Sequence, residues 1–360
     1  MGGEVSNKTW VFKKSPSSLP EPGVHTAVED RPLSLVVPPG GLVIKLLTAG
    51  LDPHQRDRMR GAGNVDYVPG YEVNEPITNF SIAKVIRSDN DAFEEGSLIA
   101  GSLPIAEYGI IPKELIDARA MASPLIWKVS NDYNLDVKHY VGTLGLAGMT
   151  AWNSFYGLVK PVKGETIWVN AASSSVGEVV VQLAKIEGMK VIASVSSDDK
   201  LDYVVNELGA DVGFNYRNEP VGKALKRLAP EGLDVVFENV GGDHFQAAIE
   251  NMKWFGRIIS CGTASQYNKP VEEQYGVTNL SEIFRRRIKI QGFIFWDDNI
   301  YTDNIENFKA TMPKWVLEGK IKSRYTQFKG IEQADKAFLS MFTGRSHGKT
   351  VLKISNPRNY

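Results

Sequence analysis

The sequence predicts an α/β protein of two parts, a β-rich first part and a second part built on a parallel sheet. Two observations support this fold class. Before Asp132 the chain is rich in Pro and Gly, and these residues separate short apolar runs. After Asp132, helix-length segments alternate with short apolar strands, which is typical of a parallel α/β sheet. With 360 residues, 42% of them hydrophobic, the chain is long enough for two domains with buried cores.

Apolar runs bounded by turn residues predict an antiparallel β domain or barrel in the first part. The predicted strands there are LSLVV (33–37), GLVIKLL (41–47), IAKVI (82–86) and SLIAGSL (97–103). Near the end of the chain, HGKTVLKI (347–354) predicts a further strand. We expect this last strand to return to the first domain.

The second part contains a strand, a turn, a helix and a strand within the span of one βαβ unit. Its predicted strands are TIWVNA (166–171), KVIASV (190–195), LDVVFENV (233–240), GRIISCG (256–262) and IKIQGFIF (288–295). Between the first two, apolar residues recur at helical spacing, at Val176, Val179, Val180, Leu183 and Ala184. Gly188 then suits the C-terminus of that helix.

Composition excludes several functional classes. The net charge of −1 provides no field that would attract nucleic acid or an anionic membrane. With Cys261 as the single cysteine, neither a disulfide within the chain nor a four-thiolate zinc site is possible, and the five histidines form no ligand pair at helical spacing. We therefore expect no metal. The sequence shows neither an apolar signal core nor a membrane-spanning run, so we expect a reducing, cytoplasmic location.

The turn AASSSVG, at the start of the βαβ helix, is a candidate for binding a dinucleotide. Pyrophosphate needs backbone N–H donors at a helix N-terminus, and the usual G-x-G-x-x-G lets the chain approach it. Those positions hold Ala172, Ser174 and Gly177. Gly177 keeps the close helix–strand packing, whereas Ser174 adds a Cβ but also a hydroxyl that can donate. The motif alone fits a nucleotide loop and a plain α/β turn equally well.

The end of the second strand, SVSSDDK, favours NADPH. An NAD site needs a carboxylate there to hold the ribose diol. Here the strand ends in serines, including Ser196, and Lys200 follows one helical turn later; hydroxyls plus a cation suit a 2′-phosphate. The alternative is a helix N-terminus, with Ser197 as its cap and with Asp198 and Asp199 favoured by the dipole. Both interpretations can hold together.

Several blocks then resemble one family, the zinc-independent medium-chain dehydrogenases/reductases, and in particular the prostaglandin and alkenal double-bond reductases. The blocks are AASSSVGEVVVQLAK, FNYRNE, DVVFENVGGDHFQAAIENMKWFGRIISCGTASQYN and RIKIQGFIF. The resemblance implies a GroES-like catalytic domain (1–143 and 322–360) and a doubly wound Rossmann NADP-binding domain (144–321). It also implies NADPH in a cleft, a homodimer, and hydride transfer to the C=C bond of an α,β-unsaturated ketone or aldehyde.

The resemblance implies roles for individual residues. Lys200 and Tyr216 match the residues that meet the 2′-phosphate, Asn239 lies beside the nicotinamide ribose, and Tyr267 is the candidate catalytic residue at the substrate carbonyl. For Tyr267, the alternative is an aromatic side chain packed beside a turn. The full set of implied cofactor-binding residues is Thr150, Ala172, Ser174, Val176, Gly177, Ser196, Lys200, Tyr216, Asn239, Cys261, Gly262, Phe293, Phe295 and Ser346.

The sequence also departs from the family pattern. Ser174 and Ser196 stand where glycine is usual, and Ser346 replaces the cofactor-binding Asn of the C-terminal motif. The family's DPYMR is lengthened to DPHQRDRMR (52–60), which with 64–74 is expected to line the substrate pocket. These departures leave two alternatives open: a reductase of the same fold that acts on a quinone or a biosynthetic intermediate, and a non-redox dinucleotide-binding protein.

Overall fold

A computed structural model describes residues 4–61, 67–121 and 123–355. The chain divides into two compact units, Met1–Leu146 with Tyr325–Tyr360, and Ala147–Arg324. The sequence places these boundaries at 143/144 and 321/322, three residues earlier in each case.

The first unit is β-rich. Its strands are β1 (Glu4–Val5), β2 (Lys8–Phe12), β3 (Thr26–Asp30), β4 (Leu33–Ser34), β5 (Leu42–Leu51), β6 (Thr78–Ser88), β7 (Leu98–Pro104), β8 (Tyr108–Ile111), β9 (Arg119–Ala120), β10 (Ser123–Pro124), β11 (Ile126–Val129), β18 (Tyr325–Lys329) and β19 (Lys349–Lys353). Its helices are α1 (Gln55–Arg58), α2 (Lys113–Asp117) and α10 (Ala334–Phe342). A sheet runs in the order β11-β7-β6-β5-β19-β18, and β8 also pairs with β5.

The C-terminal strand returns to the first unit, as the sequence predicts. β19 pairs antiparallel with β5, so that Val351 lies opposite Gly50. The strand prediction at 33–37 is wrong beyond Ser34. Two prolines follow this run and have no N–H for a ladder, and the carbonyl of Leu35 accepts instead from Arg87 Nη1 at 2.7 Å.

The second unit is an α/β layer structure. Its elements in order are α3 (Leu146–Ser154), β12 (Thr166–Val169), α4 (Gly177–Ile186), β13 (Lys190–Val195), α5 (Asp198–Asp202), β14 (Val212–Asn215), α6 (Val221–Leu228), β15 (Leu233–Glu238), α7 (Gly242–Asn251), β16 (Met252–Ser260), α8 (Ser281–Arg286), β17 (Lys289–Gly292) and α9 (Asp298–Leu317). The strands pair in parallel in the order β14-β13-β12-β15-β16-β17. This is the doubly wound Rossmann order, which reverses between β12 and β15.

Five of the six strands of the second unit follow the predicted apolar runs, but several end earlier, and β16 begins at Met252, four residues before its predicted start; β14 was not predicted. β12 ends at Val169 and β15 at Glu238, so Asn170 and Asn239 lie beyond the ladder. The apolar runs are near-continuous because helices cover both faces of the sheet. Trp168, Leu233 and Val236 are fully buried in one core layer.

A buried ion pair lies in the first unit. Lys349 of β19 donates to Asp52, which also accepts from Asn79 Nδ2 at 2.9 Å. The side chains of the pair are 1% and 8% exposed. The charge of Lys349 and the two hydrogen bonds outweigh the effect of burial and hold the pKa of Asp52 below its usual value. The pair therefore joins the C-terminal strand to the segment that follows β5.

We predict that Lys349→Met lowers the free energy of unfolding by about 3–5 kcal/mol, because it leaves the Asp52 carboxylate buried without its counter-charge. The double variant Lys349→Met/Asp52→Asn should recover part of this loss. Urea unfolding monitored by circular dichroism measures both. Lys113→Met, in the exposed pair with Asp117, is the matched control and should cost less than about 1 kcal/mol. A Lys349 variant no less stable than this control would contradict the prediction.

Candidate functional site

The site is built at the carboxyl ends of β12 and β15, where the strand order of the second unit reverses and where α/β sheets bind ligands. Asn170 follows β12 and Asn239 follows β15. Asn239 donates both hydrogen bonds between them: its N–H donates to Asn170 Oδ1 at 2.7 Å, and its Nδ2 donates to the Asn170 carbonyl at 3.0 Å. These bonds hold Asn239 at the strand ends; its place beside the nicotinamide ribose stays a prediction.

Glu238 organises these strand ends and was missed by the sequence analysis. Its fully buried carboxyl group accepts from Asn170 Nδ2 at 2.8 Å and from the backbone N–H groups of Val240 and Gly241 at 2.6 and 2.7 Å. Its carbonyl accepts from the N–H groups of Cys261 and Gly262. Burial raises its pKa above the usual value. The available signal was an acidic residue ending an apolar strand.

The turn before α4 has a compact backbone. Ala171 lies in the left-handed region at φ 46°. A Cβ at position 177 would lie 2.4 Å from the Ala171 carbonyl oxygen, so only glycine fits there. Ala172 is buried and donates its N–H to the Ser194 carbonyl, and Val176 is the N-cap residue of α4. Gly177 therefore lets the start of α4 lie directly against the backbone of the turn that follows β12.

Ser174 has a contact that the sequence analysis did not anticipate. Its Oγ accepts from the Gly177 N–H at 3.1 Å, and its carbonyl accepts from Glu178 N at 2.9 Å. Ser174 thus caps the first turn of α4. A hydroxyl that accepts can still donate its own hydrogen, so the predicted contact with phosphate remains compatible with this geometry.

The cation predicted to bind phosphate, Lys200, lies in α5, the helix that follows β13. Lys200 is 5% exposed, and its Nζ lies 3.4 Å from Ser196 Oγ. Burial lowers the pKa of Lys200, and the nearby charge of Arg217 lowers it further against the effect of Asp199. Arg217 is a second cation close to this place, and the sequence analysis missed it because the arginine belongs to a different loop.

The loop after β14 is tied to the start of α5. Asp198 Oδ1 accepts from Asn215 Nδ2 at 2.8 Å and from Asn218 Nδ2 at 3.1 Å. Ser197 is the N-cap residue of α5, but its side chain makes no capping bond, so the predicted capping role is wrong for the hydroxyl. Asp198 Oδ1 instead binds the side-chain amides of Asn215, the last residue of β14, and of Asn218 in the loop that follows.

Tyr216 is the first residue of this loop, and a hydrogen bond to β13 fixes its main chain. Its N–H donates to the Val195 carbonyl at 3.1 Å, and its half-buried ring contacts His244 edge-on, with ring centroids 5.0 Å apart. Tyr216 follows β14, the neighbour of β13, and Ser196 and Lys200 follow β13.

Tyr267 reaches back to the end of β16. Its hydroxyl oxygen accepts from the Thr263 N–H at 3.2 Å. A Cβ at position 262 would lie 2.9 Å from the same oxygen, so glycine at 262 leaves room for the hydroxyl. Burial and the charge of Glu238 raise the pKa of the Cys261 thiol to about 12. Cys261 is thus a neutral neighbour of this contact.

The two phenylalanines after β17 differ in exposure. Phe295 is 4% exposed, its ring packs within the unit, and its carbonyl accepts from Asn153 Nδ2 at 2.9 Å. Phe293 is half-buried and meets Phe237 edge-on. Thr150 lies in α3, where its carbonyl accepts from a serine hydroxyl one turn later. Of the two rings, Phe293 is the one with exposed surface for a ligand.

The predicted cofactor-binding residues fall mostly in one unit. All lie within Ala147–Arg324 except Ser346, which belongs to the first unit in the segment that precedes β19. The cofactor role of Ser346 stays a prediction.

The lengthened stretch at 52–60 belongs to the first unit, and two of its charged residues are engaged within that unit. Asp52 pairs with Lys349 as described above. Arg58 donates to the carbonyls of Pro69 and Thr78, each at 2.9 Å. These bonds support a structural role for both charges.

His54 in the same stretch is half-buried. Burial lowers its pKa to about 4, so the imidazole is neutral at pH 7. Part of the second stretch expected to line the pocket, residues 64–66, lies outside the described residues.

Metal-binding groups and membrane-spanning helices are both absent from the described residues. Among residues 4–61, 67–121 and 123–355, no group of three or more His, Cys, Asp or Glu side chains is arranged to hold a metal ion. Within the same part of the chain, none of the helices combines the length and apolar character that crossing a membrane requires.

Known proteins match this chain along most of its length. A family model described as zinc-binding dehydrogenase matches residues 175–310, and one described as the N-terminal domain of oxidoreductase matches residues 8–117. The dehydrogenase FUB6 of Fusarium oxysporum f. sp. lycopersici is 96% identical over 99% of this chain and 100% of its own length. An NADP(+)-dependent 2-alkenal reductase of Nicotiana tabacum is 36% identical over 99% of both chains.

The chain belongs to the medium-chain dehydrogenase/reductase family of oxidoreductases. A solved structure agrees: CurA from Vibrio vulnificus in complex with NADPH has a TM-score of 0.85 and 26% identity, and the match covers 97% of this chain and 100% of that one. The family resemblance and the fold class predicted from the sequence are thereby confirmed.

Helix α4 also carries a buried glutamate. Glu178 is 1% exposed, and its Oε2 accepts from the Tyr203 hydroxyl at 2.9 Å and from the Arg324 N–H at 3.2 Å. Gln182, one turn later, pairs in both directions with the backbone of Lys322. Burial raises the pKa of Glu178 from 4.5 to about 8.

We predict that Glu178→Gln stabilises the protein at pH 9 but not at pH 5. Between pH 4.5 and 8 the unfolded chain has lost the Glu178 proton while the folded chain retains it, so the folded state is progressively disfavoured as the pH rises. Glutamine keeps an acceptor and removes the charge. Thermal unfolding at both pH values tests this. Glu187→Gln, on a half-exposed glutamate that also accepts from a tyrosine, is the control and should show no such pH-dependent gain; equal effects of the two variants would refute the prediction.

Proposed function

We propose that this protein is an NADPH-dependent reductase that transfers a hydride to the C=C bond of an α,β-unsaturated ketone or aldehyde. The observation that carries this proposal is the placement of the Tyr267 hydroxyl. It lies against the backbone of Gly262 and Thr263 at the carboxyl end of β16, in the space that the absent Cβ of Gly262 leaves. A hydroxyl donor is thus held at the sheet edge where ligands bind in this fold.

The residues present fit NADPH. Gly177 allows the close approach of α4 to its strand, and the helix N-terminus favours an anion. Burial lowers the pKa of Lys200, and the charges of Asp199 and Arg217 act on it in opposite directions, so a bound 2′-phosphate would favour the charged lysine against the effect of burial. The NADP(+) dependence of the Nicotiana tabacum relative and the NADPH bound to CurA support the same cofactor.

NADPH, when bound, supplies the hydride to the β-carbon of the substrate. Negative charge then gathers on the carbonyl oxygen of the substrate, and a hydrogen bond from the Tyr267 hydroxyl would stabilise it. The α-carbon takes a proton from water or from Tyr267, which completes the saturated carbonyl product. Asn239 and Glu238 act earlier, by fixing the strand ends on which the cofactor would lie.

The substrate class is proposed from the family resemblance and from the 2-alkenal reductase among its relatives. Initial rates of NADPH oxidation with matched enals, enones, their saturated analogues and quinones test it. Turnover of enals or enones, with none of the saturated analogues, is expected. A preference for quinones would instead favour the alternative reductase function, and no oxidation with any acceptor would favour a non-redox protein.

We predict that Tyr267→Phe lowers kcat by about 10²-fold or more, because one oxyanion donor contributes about 3 kcal/mol to transition-state stabilisation. The dissociation constant for NADPH should change by less than about twofold, since the bond forms mainly in the transition state. Single-turnover NADPH oxidation at saturating enone measures the first quantity, and fluorescence titration the second. If the Phe variant reacts within about twofold of the original rate, Tyr267 is only a packed aromatic residue.

We also predict that the protein binds NADPH at least about tenfold more tightly than NADH, equivalent to about 1.4 kcal/mol. Lys200→Ala should remove most of this preference, and Arg217→Ala part of it, with NADH affinity unchanged in both. Calorimetric titration with the two cofactors gives the values. Lys223→Ala, which removes a lysine from α6 instead, is the control. Equal affinities for the two cofactors in the unmutated protein would overturn the assignment of the 2′-phosphate site.

A further inference from the structure

Three rings in successive contact, Trp168, His244 and Tyr216, connect the centre of the parallel sheet to the loop after β14. Trp168 of β12 is fully buried, and its Nε1 donates to Ser194 Oγ at 3.1 Å. The imidazole of His244, on α7, lies nearly parallel to the Trp168 ring, with centroids 5.9 Å apart and an interplanar angle of 22°. His244 also contacts Tyr216 edge-on, with an interplanar angle of 81°. The position of Tyr216 therefore depends on a residue outside its own loop.

His244 is held by ring contacts. It is 4% exposed, and among the described residues its Nδ1 has no hydrogen-bond partner. The buried Trp168 ring, which also stacks on Phe214, gives the imidazole a fixed support. The buried sheet core thus holds the His244 ring in place, and His244 in turn can restrict the ring of Tyr216, which lies against its edge.

Tyr216 needs such a support. Its N–H bond to the Val195 carbonyl fixes the main chain, but this bond leaves rotation of the half-buried side chain open. Aromatic rings prefer an edge-to-face arrangement at this separation, and the contact with His244 selects one orientation of the Tyr216 ring. Only one orientation can place the hydroxyl correctly against a given ligand.

We propose that His244 is a positioning residue for cofactor selectivity, whose imidazole holds the Tyr216 ring in the orientation in which its hydroxyl meets the 2′-phosphate of NADPH. This inference rests on the proposed function, because it assigns the 2′-phosphate to the neighbourhood of Tyr216. His244 itself touches neither cofactor nor substrate in this proposal. Its effect is confined to the part of the cofactor that distinguishes NADPH from NADH.

The test compares KM for NADPH and for NADH in variants of the full-length protein. His244→Leu should raise KM for NADPH by about tenfold, the upper end of the effect of one aromatic pair. KM for NADH and kcat at saturating NADPH should stay within about twofold. His244→Phe keeps an aromatic ring and should retain the preference, even if its larger ring lowers the melting temperature. Ile249→Ala, a buried change further along α7, should lower the melting temperature and leave the preference unchanged.

A double variant separates positioning from general packing. In the Tyr216→Phe background there is no hydroxyl to place, so adding His244→Leu should cause no further rise in KM for NADPH. Additive effects of the two substitutions, an unchanged preference in His244→Leu, or an equal loss in His244→Phe would each overturn the proposal. If the unmutated protein shows no preference for NADPH, the cofactor assignment itself fails, and the role of His244 fails with it. A normal preference that His244→Leu leaves intact rejects the role of His244 alone.

Discussion

The candidate site depends on the hydrogen bonds that converge on Glu238. This residue ends β15, yet its carboxyl group bonds Asn170 after β12, and its carbonyl bonds Cys261 and Gly262 after β16. Glu238 thus links the carboxyl ends of three neighbouring strands, β12, β15 and β16, by hydrogen bonds. A buried carboxyl group without partners would be costly, and here backbone and amide donors surround it. The same bonds that compensate the burial of the carboxyl group also fix the position of Asn239 and of the chain that leads to Tyr267.

Electrostatics organises the neighbouring strand end differently. Burial lowers the pKa of Lys200, the charge of Asp199 raises it, and the charge of Arg217 lowers it. Asp198 Oδ1 is engaged with Asn215 and Asn218. A dianion bound beside Lys200 would favour the charged form of the lysine against the effect of burial. The selectivity expected for NADPH would then come from this charge pairing as well as from new hydrogen bonds.

Most of the fold could be predicted from local patterns. The apolar runs and the helical spacing of the residues after Val176 locate the strands and α4, because both patterns are properties of short segments. The exact strand ends could not be predicted, because Asn170 and Asn239 are held beyond the ladder by hydrogen bonds between residues far apart in sequence. Arg217, His244 and the bond between Glu238 and Asn170 could not be predicted for the same reason, because the partners in each case lie far apart in sequence. The hydroxyl of Ser174 was foreseen as a donor, but its bond to Gly177 requires knowledge of the turn.

The serine in the turn before α4 changes how that turn behaves before any ligand arrives. A glycine there would leave the unfolded and the free folded chain with many backbone conformations. Ser174 restricts the backbone and bonds the first N–H of the helix, so part of the conformational entropy of the turn is already lost in the folded protein. A ligand that binds to this turn would find it ordered in advance, and less of its binding free energy would be spent on ordering the chain. The order that Ser174 gives the turn would then offset part of what is lost with the close approach that glycine allows.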